Sequence, residues 1–280
     1  MPPKIVSMLL QIGETFGHSV DNHSKQAWQD RDCKRCRFRD APCNKGNNDD
    51  PLGICSFADS KRATVVCPSR FLEQNQVFLD AAKLAFGKGV KAAAVPEVRV
   101  LTVPGPRPKK IGKIDFMLTA LGPDGKPVDF AALEIQAVYI SGKSIKPAFD
   151  HFLKHKKLPA DASRRPDFRS SAQKRLMPQL SLKVPIFRRW GKKFFVAVDE
   201  TFFDEMPTMR EVDGVENSEV TWLVYSFDKE GTTYPMKLKR VVFTHWDEVM
   251  AALREGVAPK PSEMLDELAA GLGRARIIQA

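Results

Sequence analysis

The chain has 280 residues, 43% hydrophobic and 28% charged. That composition excludes wholesale disorder, and no run approaches the roughly 18 apolar residues of a membrane helix. The net charge of +10 points to an anionic partner, nucleic acid first.

In chain order, "KIVSMLLQIGETFG" reads as an amphipathic helix, with no signal peptide before or within it. Residues 31–70 are polar and poor in periodic hydrophobics, so they need a staple to fold. "PSRFLEQNQVFLDAAKLAFG" repeats apolar residues at three and four, with Pro68 near its start and Gly87 after it, which predicts a helix. "PEVRVLTVPGPRP" predicts a short strand. "GKIDFMLTAL" and "VDFAALEIQAVYI" predict a hairpin around "GPDGKP". Residues 139–193 carry 15 Lys/Arg against 3 Asp/Glu in loops and helices, a net +12 that exceeds the excess of the whole chain. Pro178 and Pro185 predict a kinked or broken helix there. "KKFFVAVDETFF" predicts a buried strand, and "EVTWLVYSFDKEG" with "YPMKLKRVVFTHW" a second hairpin. "DEVMAALREG" and "PSEMLDELAAGLGRA" close the chain as helices. This order predicts a mixed α/β fold with a central sheet. The expected organisation is a helix and metal-binding module over 1–70, a core over 71–258 and a C-terminal helix over 259–280.

All five cysteines, Cys33, Cys36, Cys43, Cys55 and Cys67, fall in one window, and none follows. A four-thiolate metal site explains both the clustering and the lack of local core. Zinc suits such a site, and so does iron. Five thiols for four places leave Cys33 or Cys36 as the fourth ligand beside Cys43, Cys55 and Cys67. A Cys33-x-x-Cys36 knuckle with Cys43 spare is the other arrangement. His18 and His23 are left out of the ligand set.

Glu134 and Gln136 sit two apart on a strand and share a face. A two- or four-residue hairpin loop opposes Asp115 to Glu134 and Lys113 to Gln136. A three-residue loop, Pro123-Asp124-Gly125, opposes Asp115 to Leu133 and turns Glu134 away. In the favourable register two carboxylates face each other and call for a cation, Mg²⁺ near phosphates. The pattern Asp…Glu-x-Gln is a variant of the metal-dependent nuclease signature Asp…(Asp/Glu)-x-Lys. In it Asp115, Glu134 and the Ile135 carbonyl hold the metal, and Gln136 orients the water. Gln136 is no cation, and Lys113 is placed to supply that charge. Glu73 reads as solvated surface or as an acid supporting the site. "FRRWGKK", with Trp190 among Arg188, Arg189 and two lysines, suits phosphate contact and stacking.

Together these pieces resemble the NotI-type restriction endonucleases. Phe16-Gly17-His18, Cys67-Pro68-Ser69-Arg70, Leu133-Glu134-Ile135-Gln136, and Lys174, Arg175, Gln179 and Lys183 follow that family's pattern in order. The Asp of Ile114-Asp115-Phe116 matches as well, and the matched order runs from about residue 8 to 205. The resemblance implies a PD-(D/E)XK nuclease core with an N-terminal cysteine-rich module. It implies a homodimeric, Mg²⁺-dependent, site-specific double-strand DNA endonuclease in a prokaryotic cytoplasm, with a cognate DNA methyltransferase as genetic partner. By position it makes Asp115, Glu134 and Gln136 catalytic. It makes Cys36, Cys43, Cys55 and Cys67 the ligands of a structural iron. Lys174, Arg175, Gln179, Lys183, Arg188 and Arg189 are expected to bind DNA. Two rival readings are another nuclease on the same core, from repair or a mobile element, and a non-enzymatic metal-stapled DNA-binding protein.

Overall fold

The computed structural model describes residues 10–46, 49–254 and 259–276. Its N-terminal part holds β1 (Gln11–Thr15), β2 (His18–Ser19), α1 (Lys25–Asp32), β3 (Arg35–Cys36), β4 (Ala41–Pro42), β5 (Ile54–Ala58) and β6 (Ala63–Val65). The predicted opening helix is therefore corrected: Gln11–Thr15 is a strand, and residues 4–9 lie outside the described residues. Four of its five residues are buried between neighbours, and β-pairing on both edges outweighs the helical spacing of its hydrophobics. The strands form a sheet in the order β2-β1-β5-β6. Phe16 and Gly17 make its first turn at φ 52° and 92°. A Cβ at Gly17 would meet Arg37 Cβ at 2.6 Å, so this turn requires glycine.

This part does bury a core of its own, with Ile12, Phe16, Ile54 and Phe57. Ile145, Ala148, Phe149 and Ala162 from much later in the chain complete it. Burying these side chains supplies apolar contact that the polar stretch 31–70 lacks within itself.

The predicted single helix over 68–87 is two pieces. Pro68–Asn75 is a 3₁₀ turn that breaks at Glu73 and Gln74, and α2 (Gln76–Phe86) follows. Then come β7 (Ala92–Val103), β8 (Lys109–Leu121) and β9 (Pro127–Ile135). The basic region contains β10 (Tyr139–Ser141), α3 (Lys146–His155), β11 (Arg165–Asp167), α4 (Phe168–Ser170), a π-helical stretch Ser171–Leu176, and α5 (Met177–Trp190). No break falls at either proline: the helical run is continuous from Phe168 to Trp190, with the irregular π stretch ahead of both. Pro178 falls just after the π stretch, in the first turn of α5, and Pro185 is held inside the continuous helix. The chain ends with β12 (Phe194–Asp199), α6 (Glu200–Asp204), β13 (Val220–Ser226), β14 (Lys237–Thr244), α7 (Trp246–Arg254) and the exposed α8 (Pro261–Gly271).

Six strands form the mixed central sheet, in the order β14-β13-β12-β9-β8-β7. β12 runs parallel to β9 and β13, and the other pairs are antiparallel. One face packs on α5 and α7 through Leu180, Val184, Phe187, Val249 and Leu253. The other packs on α2 through Val77 and Ala81. The buried Asp199 ends β12 as the N-cap of α6. It accepts from Phe202 N at 2.8 Å and from Val65 N at 3.1 Å, which ties the small sheet to the large one. Burial pushes its carboxyl up to about 6, against these hydrogen bonds.

Candidate active site

The β8–β9 hairpin carries the acids. Its loop is the three-residue one: Gly122 N bonds Lys126 O at 2.9 Å across Pro123, Asp124 and Gly125. Alone, that loop would oppose Asp115 to Leu133. A bulge corrects it. Leu121 pairs with Pro127 and Ala120 with Asp129, so Val128 is an extra residue and the ladder slips by one. From there to Phe116↔Leu133 the register is the one that brings Asp115 opposite Glu134.

The two acids meet at the end of that ladder. Asp115 N donates to Glu134 Oε1 at 3.3 Å, and Ile135 N donates to Asp115 Oδ2 at 3.0 Å. A second irregularity sits at this point. Phe116 and Leu118 pack on the α2 side of the sheet, while Ile114, which alternation would put with them, packs on the α5 side. The break falls at Asp115 and at Glu97, which stands across from it with φ 61°. Such breaks in alternation re-aim side chains beside functional sites.

Glu134 is 2% exposed, and its Oε2 has no hydrogen-bond partner. Burial pushes its carboxyl up to about 7, Asp115 adds to the rise, and Lys183 opposes it. Burial also raises Asp115, against the Ile135 N–H and the charge of Lys183.

Lys183 lies elsewhere than a surface phosphate contact requires. It is buried on α5, its Nζ 2.8 Å from Glu134 Oε1 and 3.4 Å from Gln179 Oε1. Gln136 is buried too. Its Nε2 donates to Ala137 O at 2.6 Å and its backbone N to Ala197 O. Lys113 pairs with Glu97 at 2.8 Å on the exposed side of Asp115, and both charges bear on that acid. Sequence reasoning missed Glu97 and the Lys183–Glu134 contact. The neutral third position of the motif was the signal that a cation must come from elsewhere.

Lys174, Arg175 and Gln179 are exposed at the start of the same helical stretch, and Arg175 stacks over Tyr139 at 4.5 Å just beyond the end of β9. Arg188 and Arg189 are exposed at the other end of α5. There Trp190 packs edge-on against Phe130 and Phe187, and Arg188 pairs with Glu219 at 2.7 Å. Phe130 precedes Glu134 by four strand residues, about 13 Å. Of these residues Gln179 is tied to the acids through Lys183, Arg175 lies over Tyr139 beyond the end of β9, and Arg188 and Arg189 stand at the far end of α5. Trp190 is partly engaged in packing rather than free to stack. Glu73 is also away from the acids: its carboxylate takes Arg70 Nη1 at 2.8 Å and Met236 N at 3.0 Å.

Cys36, Cys43, Cys55 and Cys67 are buried and Cys33 is exposed. Burial raises the Cys36, Cys43 and Cys55 thiols, and each also feels the charge of Cys67. Among the described residues no three His, Cys, Asp or Glu side chains stand in a metal-holding arrangement. His18 bonds Asp30 at 2.7 Å and braces α1. No helix among the described residues is long and apolar enough to cross a membrane.

A family model described as restriction endonuclease NotI matches residues 24–238, most of the chain and all of the elements above from α1 to the start of β14. No curated protein matches it significantly.

Proposed function

The chain belongs to the NotI restriction endonuclease family, and on that premise we propose that it is a type II enzyme on a PD-(D/E)XK core. In this reading it hydrolyses both strands of duplex DNA at one sequence, as a homodimer with one active site per subunit. The observation that carries the reading is the pair of half-buried Asp115 and buried Glu134, with one Glu134 oxygen lacking any partner beside the ammonium of Lys183.

The donor set fits Mg²⁺: Asp115, Glu134 and the Ile135 carbonyl are hard oxygen ligands, and Glu134 Oε2 is already desolvated. When bound, that cation supplies charge at the phosphate and a more acidic water. Lys183 fixes Glu134 through Oε1 and so keeps Oε2 turned to the site. It is also the positive group nearest the scissile phosphate, a role that Gln136 cannot fill with its amide donating to Ala137 O. Lys174, Arg175 and Gln179 receive the flanking DNA strand, Arg188 and Arg189 serving only more distant phosphates. Cys36, Cys43, Cys55 and Cys67 hold a structural iron or zinc. What supports this is that all four are buried soft donors in one module, although their side chains as placed do not stand in a metal-holding arrangement.

Digestion of long, unmodified duplex DNA tests this. Discrete bands with Mg²⁺ and none with EDTA are expected, and the Asp115→Ala/Glu134→Ala double variant should bind DNA but not cut it. A smear would assign a nuclease without site specificity, and unchanged cleavage by the double variant would end the reading.

A further inference from the structure

β9 pairs with β8 only from Phe116 to Leu121. Beyond that point β7 and β8 continue as a two-stranded ribbon, with Val98↔Ile114, Arg99↔Lys113, Leu101↔Ile111, Thr102↔Lys110 and Val103↔Lys109. Pro104-Gly105-Pro106-Arg107-Pro108 joins them, and every residue from 102 to 110 is exposed. The ribbon leaves the sheet at Asp115. At about 3.4 Å per residue it reaches on the order of 20 Å past that acid.

Its chemistry is one-sided. Between residues 98 and 114 there are five cations, Arg99, Arg107, Lys109, Lys110 and Lys113, and no acid. Lys113 has Glu97, but Arg99, Arg107, Lys109 and Lys110 make no ion pair among the described residues. Arg99 and Lys113 also stand directly opposite each other, with Glu97 the acid that acts on both. Alternation gives the ribbon cations on both faces, with Lys109 on one and Lys110 on the other. A flat anionic surface would meet one face only. A groove lined by phosphates on two sides meets both, and the major groove, about 12 Å wide, admits a two-stranded ribbon.

We propose that the β7–β8 ribbon enters the major groove of duplex DNA beside the bond that Asp115 and Glu134 act on, and contributes to choosing the sequence cut. This rests on the endonuclease reading. The three prolines of the tip restrict its backbone, so less freedom is lost on docking.

The test uses the full chain and Arg107→Ser/Lys109→Ser/Lys110→Ser, three exposed changes that leave the ladder intact. The cut sequence is mapped from the ends made by the unaltered chain. Binding is then measured on a duplex bearing that sequence and on a shuffled one across a salt series. At least tenfold loss on the mapped duplex is expected, with a smaller loss on the shuffled one. The salt slope should fall by about 0.9 for each phosphate contact removed. A second variant replaces 102–110 by Asn-Gly, which closes the hairpin early; it should cut additional sequences. Equal losses on both duplexes would overturn the groove assignment, since phosphate contacts are blind to sequence. Unchanged binding and cleavage would overturn it as well. Dissociation of a dimer by the triple variant, seen in sedimentation, would give the ribbon to a second copy of the chain instead. A parent chain that neither binds nor cuts duplex DNA defeats the endonuclease reading, whereas the other failures leave that reading standing.

Discussion

Two buried clusters of charge in this molecule are built to opposite rules. Around Arg70, which is 1% exposed, every guanidinium nitrogen has an acceptor. Its Nε meets Glu14 Oε2 at 2.9 Å, Nη1 meets Glu73 at 2.8 Å, and Nη2 meets Tyr234 O. Phe38 and Phe227 lie over the guanidinium at 4.5 and 4.7 Å. Glu14 Oε2 takes Ser56 Oγ at 2.7 Å as well. Around Lys183 there are two acids for one ammonium, both acids are pushed up, and one oxygen is orphaned. The first cluster joins the N-terminal sheet to the core and has nothing left to bind. The second is incomplete by itself. Each cluster has a buried cation, a buried acid and a half-buried acid; satisfaction of the polar atoms separates them, and it is what sets the proposed site apart from a structural joint.

Substitutions can break that contrast. The largest effect is expected at the incomplete cluster, where Glu134→Gln should lower the cleavage rate by about 10³-fold or more with little change in thermal midpoint. A midpoint that falls as far as the rate would make Glu134 a structural residue instead. Lys183→Met should cost roughly 10²-fold in cleavage. It should leave DNA affinity within a few-fold, because the buried ammonium is no general phosphate contact; a collapse of affinity would restore that role.

At the complete cluster the loss should be of stability. Arg70→Ala leaves Glu14 buried and unpaired, a loss of about 3–5 kcal/mol in denaturant unfolding. An unaffected unfolding midpoint would show that the joint is not needed.

Asp199→Ala should cost about 2 kcal/mol, since it removes the cap of α6 and strands the buried Val65 N–H. This carboxyl rises from 3.8 to about 6 on folding. The folded state therefore holds the proton more tightly, so the contribution is full below about 3.8 and is lost as pH climbs through about 6. Stability measured across that window should fall more steeply in the parent than in the variant, in which Glu134 and Asp115, also raised, still titrate. The smallest effect is expected at the exposed Cys33, where Cys33→Ser should move stability by under about 0.5 kcal/mol and leave bound iron or zinc unchanged. Loss of that metal would make Cys33 a ligand.

The acids were legible in the sequence because strand periodicity puts Glu134 and Gln136 on one face and a hairpin can carry Asp115 to them. Their meeting was not. The loop has the length that separates them, and only the Val128 bulge, which no local rule around "GPDGKP" announces, restores the register. Gln11–Thr15 shows the same limit in another form, since helical spacing of its hydrophobics gave way to partners on β2 and β5.

What the sequence determined by itself is therefore what depends on residue type and short spacing: a basic nucleic-acid-binding class, the hairpins, the cysteine cluster, the acids and the family pattern. Only the tertiary structure decided which cation serves Glu134. Lys183 lies 49 residues away in sequence, and its ammonium reaches the carboxylate because α5 packs on the same face of the sheet. Contacts of that separation are set by packing between elements, which residue spacing along one element does not encode.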